Sequence, residues 1–528
     1  MNGAQSLVAA ARTAGIDVCF ANPGTTEMPL VQALDGEPGI RPVLALFEGV
    51  VTGAADGYAR MAGRPAMTLL HLGPGTANGL ANLHNARRAH TPLLNVVGDH
   101  ATWHLPFDAP LTSDIDSLVG PVSGWVRTSR SPRSAAGDLA AAVAAARSAP
   151  GQVATLIVPA DVQWGELPDA VTAADAAVAP GVPAAVDEDR VRAAADALRS
   201  GTPGVLLLGG AALSEAGVRA AGRVAAATGC RLLTEKFPAR AERGGDLPAV
   251  EKLPYFPEPA REALSGVGAV VIAGTTSPVA FFGYPEVPSS EVPDETRAVP
   301  LAGPADDVVG ALADLADAVG AGPGRAGSGS PARVDAGQPA LPRPELPSGR
   351  LDVRSLCQAI AGLQPEGAIV VEEALSSAGP YFTVAAGAPR HSFLSLTGGA
   401  IGQGLPSAAG AAIACPDRPV IAFQADGSGL YTAQALWTMA REQLDVTVVV
   451  AANGTYRILQ TELARAGVTD PGHASRSLTD LGSPRIDWVA LSTGYGVPAR
   501  RVTDADALVA AVRDGLREPG PHLVEAML

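Results

Sequence analysis

Residues 418–459 read RPVIAFQADGSGLYTAQALWTMAREQLDVTVVVAANGTYRIL, and no other stretch limits the fold so tightly. Residues 419–423 are a short apolar run, and residues 446–452 are a second, rich in β-branched side chains. Between them Leu430, Ala433, Leu436, Trp437 and Ala440 mark one face of a helix expected over 431–443. Strand, loop, helix, strand is a βαβ unit, which requires parallel strands and a right-handed crossover. Neighbouring strands of a parallel sheet end on one side, where ligands bind. The first strand runs into Asp426-Gly427-Ser428-Gly429 and the second into Asn453-Gly454-Thr455-Tyr456. A carboxylate and an amide oxygen are therefore expected to face each other beside a helix N-terminus suited to phosphate. Hard oxygens beside a diphosphate describe a Mg²⁺ site in which the metal keeps water and phosphate oxygens.

The rest of the chain is of the same kind. Its 528 residues allow about three domains with ample core. A net charge of −15 with no long basic run argues against a nucleic-acid partner. Cys19, Cys230, Cys357 and Cys415 are scattered without a CxxC pair, which fits reduced thiols in a cytoplasm better than disulfides or zinc. No apolar run reaches membrane-spanning length and no signal pattern opens the chain, so a cytoplasmic protein with no membrane partner is expected.

Residues 1–166 alternate helical patterns and apolar strands. A helix is expected over 7–14 and a strand over 17–20, and the turn Asn22-Pro23-Gly24-Thr25-Thr26-Glu27 opens the next helix. A strand over 43–47 is expected to end at Glu48, before a small-residue helix over 51–61. A strand over 66–70 then leads into a Gly-rich loop from His71 to Asn78, a helix, and a strand over 93–97. Arg64-Pro65, strand, Gly-rich loop, helix and strand repeat the order of the 418–459 stretch. This reads as a distant internal duplication, one copy metal-binding and one not. Residues 167–184 read as a linker. Residues 185–320 carry a second doubly wound pattern, with strands expected over 205–208, 231–234 and 267–273. Residues 321–349, dense in Gly, Pro, Ser and Ala, read as a second linker, and 350–528 as the last domain.

The acidic glycine loop at Asp426, with an asparagine 27 positions later, resembles the motif of the acetolactate synthase and pyruvate decarboxylase superfamily of thiamine-diphosphate enzymes. One departure is Ala425, where that family usually has glycine. The resemblance is strongest over 18–100 and 398–460 and faint over 170–345. It implies an α/β fold of three doubly wound domains with mostly parallel sheets: pyrimidine-binding at 1–166, central at 185–320, and diphosphate- and Mg²⁺-binding at 350–528. It further implies thiamine diphosphate and Mg²⁺ as cofactors, the metal being held by Asp426, Asn453 and the Thr455 carbonyl. Glu48 would hydrogen-bond the aminopyrimidine, Ile401 would wedge the cofactor into its bent form, and the Gly399 carbonyl would accept from the pyrimidine. Ser376, Ser377, Gly427, Ser428 and Tyr456 would line the diphosphate side.

Within the superfamily the loop at 20–25 and the run LLHLGPGTAN resemble benzoylformate decarboxylase, which implies catalytic roles for Thr25 and His71. That family's second catalytic histidine has no counterpart in residues 279–284, leaving His100 and His104 as substitutes. The flavin motif usual in acetolactate synthases is not evident, since a Gly209-Gly210 turn alone is too weak. The implied function is decarboxylation of a 2-oxo acid, with release of an aldehyde or transfer of the acyl unit to a second carbonyl. The alternatives are an acetolactate synthase-type carboligase and a catalytically idle cofactor-binding relative. The implied assembly is a homodimer or dimer of dimers, with Glu48 and Asp426 meeting across the subunit interface.

Overall fold

The computed structural model describes residues 1–167, 179, 181–321 and 341–528, so most of both expected linkers lies outside the described residues. The first sheet contains β1 (Val18–Asn22), β2 (Arg41–Leu44), β3 (Ala66–Leu70), β4 (Leu93–Asp99), β5 (Trp125–Thr128) and β6 (Val153–Pro159). All pair in parallel, in the order β2-β1-β3-β4-β6-β5. The central part supplies β7 (Gly204–Leu208), β8 (Arg231–Thr234), β9 (Ala241–Arg243), β10 (Glu251–Lys252), β11 (Ala269–Ala273) and β12 (Arg297–Ala302). Five of these form a parallel sheet, β10-β8-β7-β11-β12, while β9 leaves it for the third sheet. That sheet adds β13 (Ala368–Glu373), β14 (His391–Ser395), β15 (Val420–Ala425), β16 (Val446–Ala452), β17 (Ala499–Val502) and β18 (His522–Met527). Only the β9–β14 edge pairing is antiparallel among the named strands.

Reading the third sheet as β14-β13-β15-β16-β18-β17 reproduces the strand order of the first. The repeat seen between two short stretches of sequence thus extends over two whole sheets. β3, β4, β15 and β16 are buried almost throughout, because parallel sheets are covered on both faces and their strands become continuous apolar runs.

The two related units share one core. The helix Glu48–Ala62 lies against the helix Gly404–Ala414, with Val50, Ala54 and Tyr58 in the same cluster as Leu405, Ala408 and Ala409. Small residues let the backbones approach: a Cβ on Gly57 would sit 2.1 Å from the Ser407 carbonyl oxygen, and one on Gly410 would sit 1.8 Å from that of Ala54. A buried ion pair within the first of these helices, Arg60–Asp56, sends further hydrogen bonds across the same seam. Arg60 Nε donates to Asp56 Oδ1 at 2.9 Å and its Nη1 to the Ser395 carbonyl at 2.9 Å. Thr91 Oγ1 also donates to Asp56 (2.6 Å), as does the Gln403 side-chain amide, so the buried carboxylate is fully satisfied.

Three local expectations change. The strand over 43–47 stops at Leu44, and Glu48 opens a helix instead of ending a strand. Phe47 is the extended residue before that helix, and a first-turn acid is favoured by the helix dipole. The Gly-rich segment after His71 is not a loop but the start of the helix Leu72–Arg88, whose first turn tolerates Pro74. The helix expected over 431–443 is instead a single turn at Leu430–Thr432 followed by a helix at Ala435–Arg441, and a separate helical turn precedes it at Asp426–Gly429. Thr432 Oγ1 donates to the Gly402 carbonyl at 2.8 Å and ties this irregular segment to a neighbouring loop.

Candidate active site

Two groups of side chains gather at the ends of the related sheets. In the first unit Asn22 on β1 is in register with Leu70 on β3, so the turn after one strand meets His71 after the other. His71 Nδ1 lies 2.7 Å from Glu27 Oε2. Glu27 is fully buried and also accepts from the Gly24 N–H (2.7 Å) and Thr26 Oγ1 (2.6 Å). A carboxylate can only accept, so the Nδ1 proton points to Glu27 and Nε2 is left as the base. Thr26, not Thr25, is the hydroxyl beside the ring, at 3.4 Å from Nδ1; Thr25 is exposed at the start of the turn.

Glu48 is 9 % exposed and accepts from Asn78 Nδ2 at 3.0 Å. A Cβ on Gly75 would stand 2.9 Å from Glu48 Oε1 and 3.2 Å from the His71 Cβ, so the two side chains flank that glycine. Glu27, His71, Glu48 and Asn78 thus form one row. Glu27 was missed by sequence reasoning, because a lone acid after a Pro-Gly turn carries no signal of its partner. His100 and His104 contact each other, with ring centroids 5.4 Å apart, and neither has a hydrogen bond or ring contact with His71.

In the third unit the ends of β13, β15 and β16 converge. Asp426 is 4 % exposed; its Oδ1 accepts from the Gly427 N–H (2.9 Å) and its Oδ2 from the Gly454 N–H (2.7 Å). This second bond joins the acidic loop to the asparagine loop. Burial pushes the Asp426 carboxyl above its ordinary range. Asn453 Oδ1 accepts from the Thr455 N–H at 2.9 Å, and a Cβ on Gly427 would meet the Tyr456 ring at 2.6 Å. Ser428 is buried and accepts from Gln424 Nε2 (2.6 Å). Ser376 is exposed and Ser377 buried, just beyond β13. One carboxylate, one amide oxygen and a carbonyl form a donor set of low charge. That set fits a hard cation already carrying phosphate oxygens, whereas no group of three His, Cys, Asp or Glu suited to a metal occurs among the described residues.

Gly399 and Ile401 sit on a loop held by the first unit of the same chain. Asn85 Nδ2 donates to the Ala400 carbonyl (2.7 Å) and Asn82 Nδ2 to that of Gly402 (3.2 Å), while His84 Nε2 lies 3.0 Å from the Gly398 carbonyl. Gly399 is exposed, with φ +77°, and Ile401 is half-buried. A Cβ on Gly399 would be 2.7 Å from the Phe281 ring, so residues 279–284 do reach this loop, bringing an aromatic ring where no histidine is available. No hydrogen bond joins Glu48 to Asp426 among the described residues.

The central sheet has its own cluster of side chains at its strand ends. At the ends of β7, β8 and β11, Glu235 accepts from the Gly210 N–H (3.3 Å) and from Thr275 Oγ1 (2.8 Å). Burial raises the pKa of this carboxyl. A Cβ on Gly274 would lie 2.2 Å from the Gly209 carbonyl, so the flanking loops already touch. A carboxylate thus accepts from an amide of the Gly209-Gly210 turn, as a ligand phosphate at such a turn would.

Comparison with known proteins identifies the family. Residues 1–117 match the model of the thiamine pyrophosphate enzyme N-terminal TPP binding domain, and residues 377–526 that of the C-terminal TPP binding domain. The chain is 50% identical over 529 residues to a Mycobacterium tuberculosis protein provisionally named acetolactate synthase large subunit IlvX, covering 100% of this chain and 99% of that one. It is 28% identical over 543 residues to benzoylformate decarboxylase of Pseudomonas aeruginosa, covering 97% and 96% of the two chains. The structure of a thiamine diphosphate-dependent 4-hydroxybenzoylformate decarboxylase from Rhodococcus jostii RHA1 superposes with a TM-score of 0.84, covering 99% of this chain and 98% of that one; at 24% identity the likeness is one of fold. With both domain models matched and half of all positions shared with a full-length relative, the chain belongs to the thiamine pyrophosphate enzyme family.

Proposed function

We propose that the protein decarboxylates a 2-oxo acid with thiamine diphosphate and Mg²⁺, releasing an aldehyde or passing the acyl unit to a second carbonyl. The observation that carries this reading is the row Glu27, His71, Glu48 and Asn78 around Gly75. Thiamine diphosphate, when bound, supplies a nucleophilic carbon and an electron sink for breaking a C–C bond next to a carbonyl. Glu48, oriented by Asn78, would exchange a proton with the aminopyrimidine. His71, with Nδ1 turned to Glu27, keeps Nε2 for proton transfer at the substrate. Asp426, Asn453 and the Thr455 carbonyl would hold Mg²⁺, with Gly427, Ser428, Ser376, Ser377 and Tyr456 on the diphosphate side. The Gly399 carbonyl and Ile401 would meet the pyrimidine.

We read 1–166 as the pyrimidine-binding domain, 185–320 as the central domain and 350–528 as the diphosphate-binding domain of a cytoplasmic homodimer or dimer of dimers. Exposed Trp103, Phe107, Met28 and Leu46 on the first unit support a second copy of the chain as cover. The 50% identical relative favours a second reading, acetolactate-type carboligation. The hold of Glu235 on the Gly210 amide and the Thr275 hydroxyl weighs against a flavin diphosphate at that turn, and so against the flavin-dependent form of it.

The test is to supply purified protein, thiamine diphosphate and Mg²⁺ with pyruvate and with benzoylformate, and to quantify CO₂, aldehyde and acyloin. Aldehyde with CO₂ supports the main reading, and acetolactate from pyruvate the second. Cofactor binding with no CO₂ from these or a wider panel of 2-oxo acids would leave an idle relative.

A further inference from the structure

We propose that Glu373 is a positioning residue of the cofactor cleft, strapping the loop that carries Gly399 and Ile401 to the loop that carries Asp426 and Ser428. The inference rests on the reading that the third unit binds thiamine diphosphate, and it assigns a role to a residue outside the cofactor contacts named above. Glu373 is the last residue of β13 and is fully buried. Its Oε1 accepts from the N–H groups of Gly402 (2.6 Å) and Gln403 (3.3 Å). Its Oε2 accepts from the Gly404 N–H (2.7 Å) and from Gln424 Nε2 (3.0 Å). Gln424 Nε2 donates onward to Ser428 Oγ at 2.6 Å, and Ser428 Oγ donates back to the Glu373 carbonyl at 3.2 Å. One side chain therefore grips three successive amides of one loop and, through a single glutamine, the first turn of the other.

Capping the helix Gly404–Ala414 would by itself explain the amide contacts, since its N-cap residue Gln403 makes no side-chain cap bond. Capping does not explain the Gln424–Ser428 arm, which leads away from that helix toward Asp426. Nor does it explain the fit at Gly404, where a Cβ would stand 2.3 Å from Gln424 Oε1 and 2.8 Å from Glu373 Oε2. Burying a carboxylate is costly, and desolvation raises the pKa of this one despite its four donors. That cost is met where two loops must keep a fixed separation. Each loop carries contacts for one end of the cofactor, the pyrimidine on one side and the diphosphate with its metal on the other, so the strap sets the spacing of the two ends.

Glu373→Gln is the direct test. A carboxamide satisfies one arm and turns an N–H₂ toward the donors of the other, so the strap is cut whichever way it rotates. Calorimetric titration of the full-length protein with Mg²⁺ and thiamine diphosphate should show affinity falling about tenfold or more, as loss of a buried charge-assisted bond implies. Titration with Mg²⁺ and inorganic diphosphate should change by no more than about twofold, because the Asp426–Gly454 bond stays in place. Gln424→Leu, which leaves the carboxylate on its amides and removes only the bridge, should show the same split and decides the matter if Glu373→Gln does not fold. Equal losses for both probes would make Glu373 a fold residue and overturn the proposal, as would unchanged affinity for both. A wild-type protein that binds neither probe would overturn the cofactor reading itself, and this inference with it.

Discussion

Glu27 Oε2 and His71 Nδ1 lie 2.7 Å apart although 44 residues separate them in sequence. Adjacency of β1 and β3, with Asn22 opposite Leu70, makes this contact, and burial of Glu27 keeps water from competing for it. Glu27→Ala should therefore lower turnover by roughly tenfold to a hundredfold, as loss of an oriented acid–base group implies. Affinity for thiamine diphosphate should stay nearly unchanged, and Glu27→Gln, which can still accept from Nδ1, should recover part of the rate. His71→Ala should cost roughly a hundredfold or more on the same grounds. Steady-state kinetics beside cofactor titration checks both variants; parallel losses of rate and affinity would make the pair structural.

Asp426→Ala or Asn453→Ala should abolish Mg²⁺-dependent binding of thiamine diphosphate. Each removes one hard oxygen from a set with few others. Asp426→Ala also cuts the bond to the Gly454 N–H, so Asn453→Ala is the cleaner variant. Calorimetry with and without Mg²⁺ decides it, and wild-type affinity in both variants would rule the site out.

Much of this architecture is legible in the sequence because buried parallel strands are continuous apolar runs, and their ends are marked by Asp-Gly, Asn-Gly and Gly-Pro. Those marks singled out Asp426, Asn453 and His71, each of which directly follows a strand of the structure. They misplaced the helix starts at Glu48 and Leu72, since Gly and Pro in a first helical turn read as loop. Thr25 was chosen where Thr26 meets the ring, because a turn of consecutive hydroxyls gives no orientation. Glu27 and Glu373 were invisible for one reason: their partners are set by strand adjacency and loop packing, which no local pattern encodes.

Acidification should destabilise the fold in part through His391. Its Nε2 is buried without a hydrogen-bond partner, and burial together with the nearby Arg243 and Arg418 guanidinium groups lowers its pKa to about 3. The unfolded chain, with an ordinary histidine pKa of 6.5, takes up the proton first. Stability contributed by the neutral ring is therefore present above the unfolded pKa and lost as pH falls from there toward the folded value. The slope is at most about 1.4 kcal/mol per pH unit for one group. Melting temperatures at about pH 7 and about pH 5 should differ more in the wild type than in His391→Gln. Identical pH dependence in the two proteins would show that another group governs acid sensitivity.

The last prediction concerns Glu48, and it separates an active enzyme from an idle relative. Glu48→Gln keeps the size of the side chain and can still accept from Asn78, so the row around Gly75 should stay packed. Binding of diphosphate and metal should survive, because Asp426, Asn453 and Ser428 belong to the third unit. What the amide cannot do is exchange a proton with the aminopyrimidine. Proton–deuterium exchange at the thiazolium carbon, followed by quenched-flow NMR without any substrate, isolates that step. The wild type should exchange much faster than free cofactor, and the variant close to the free rate. Equal exchange in the two proteins would reduce Glu48 to a packed carboxyl at a helix start and remove it from the chemistry.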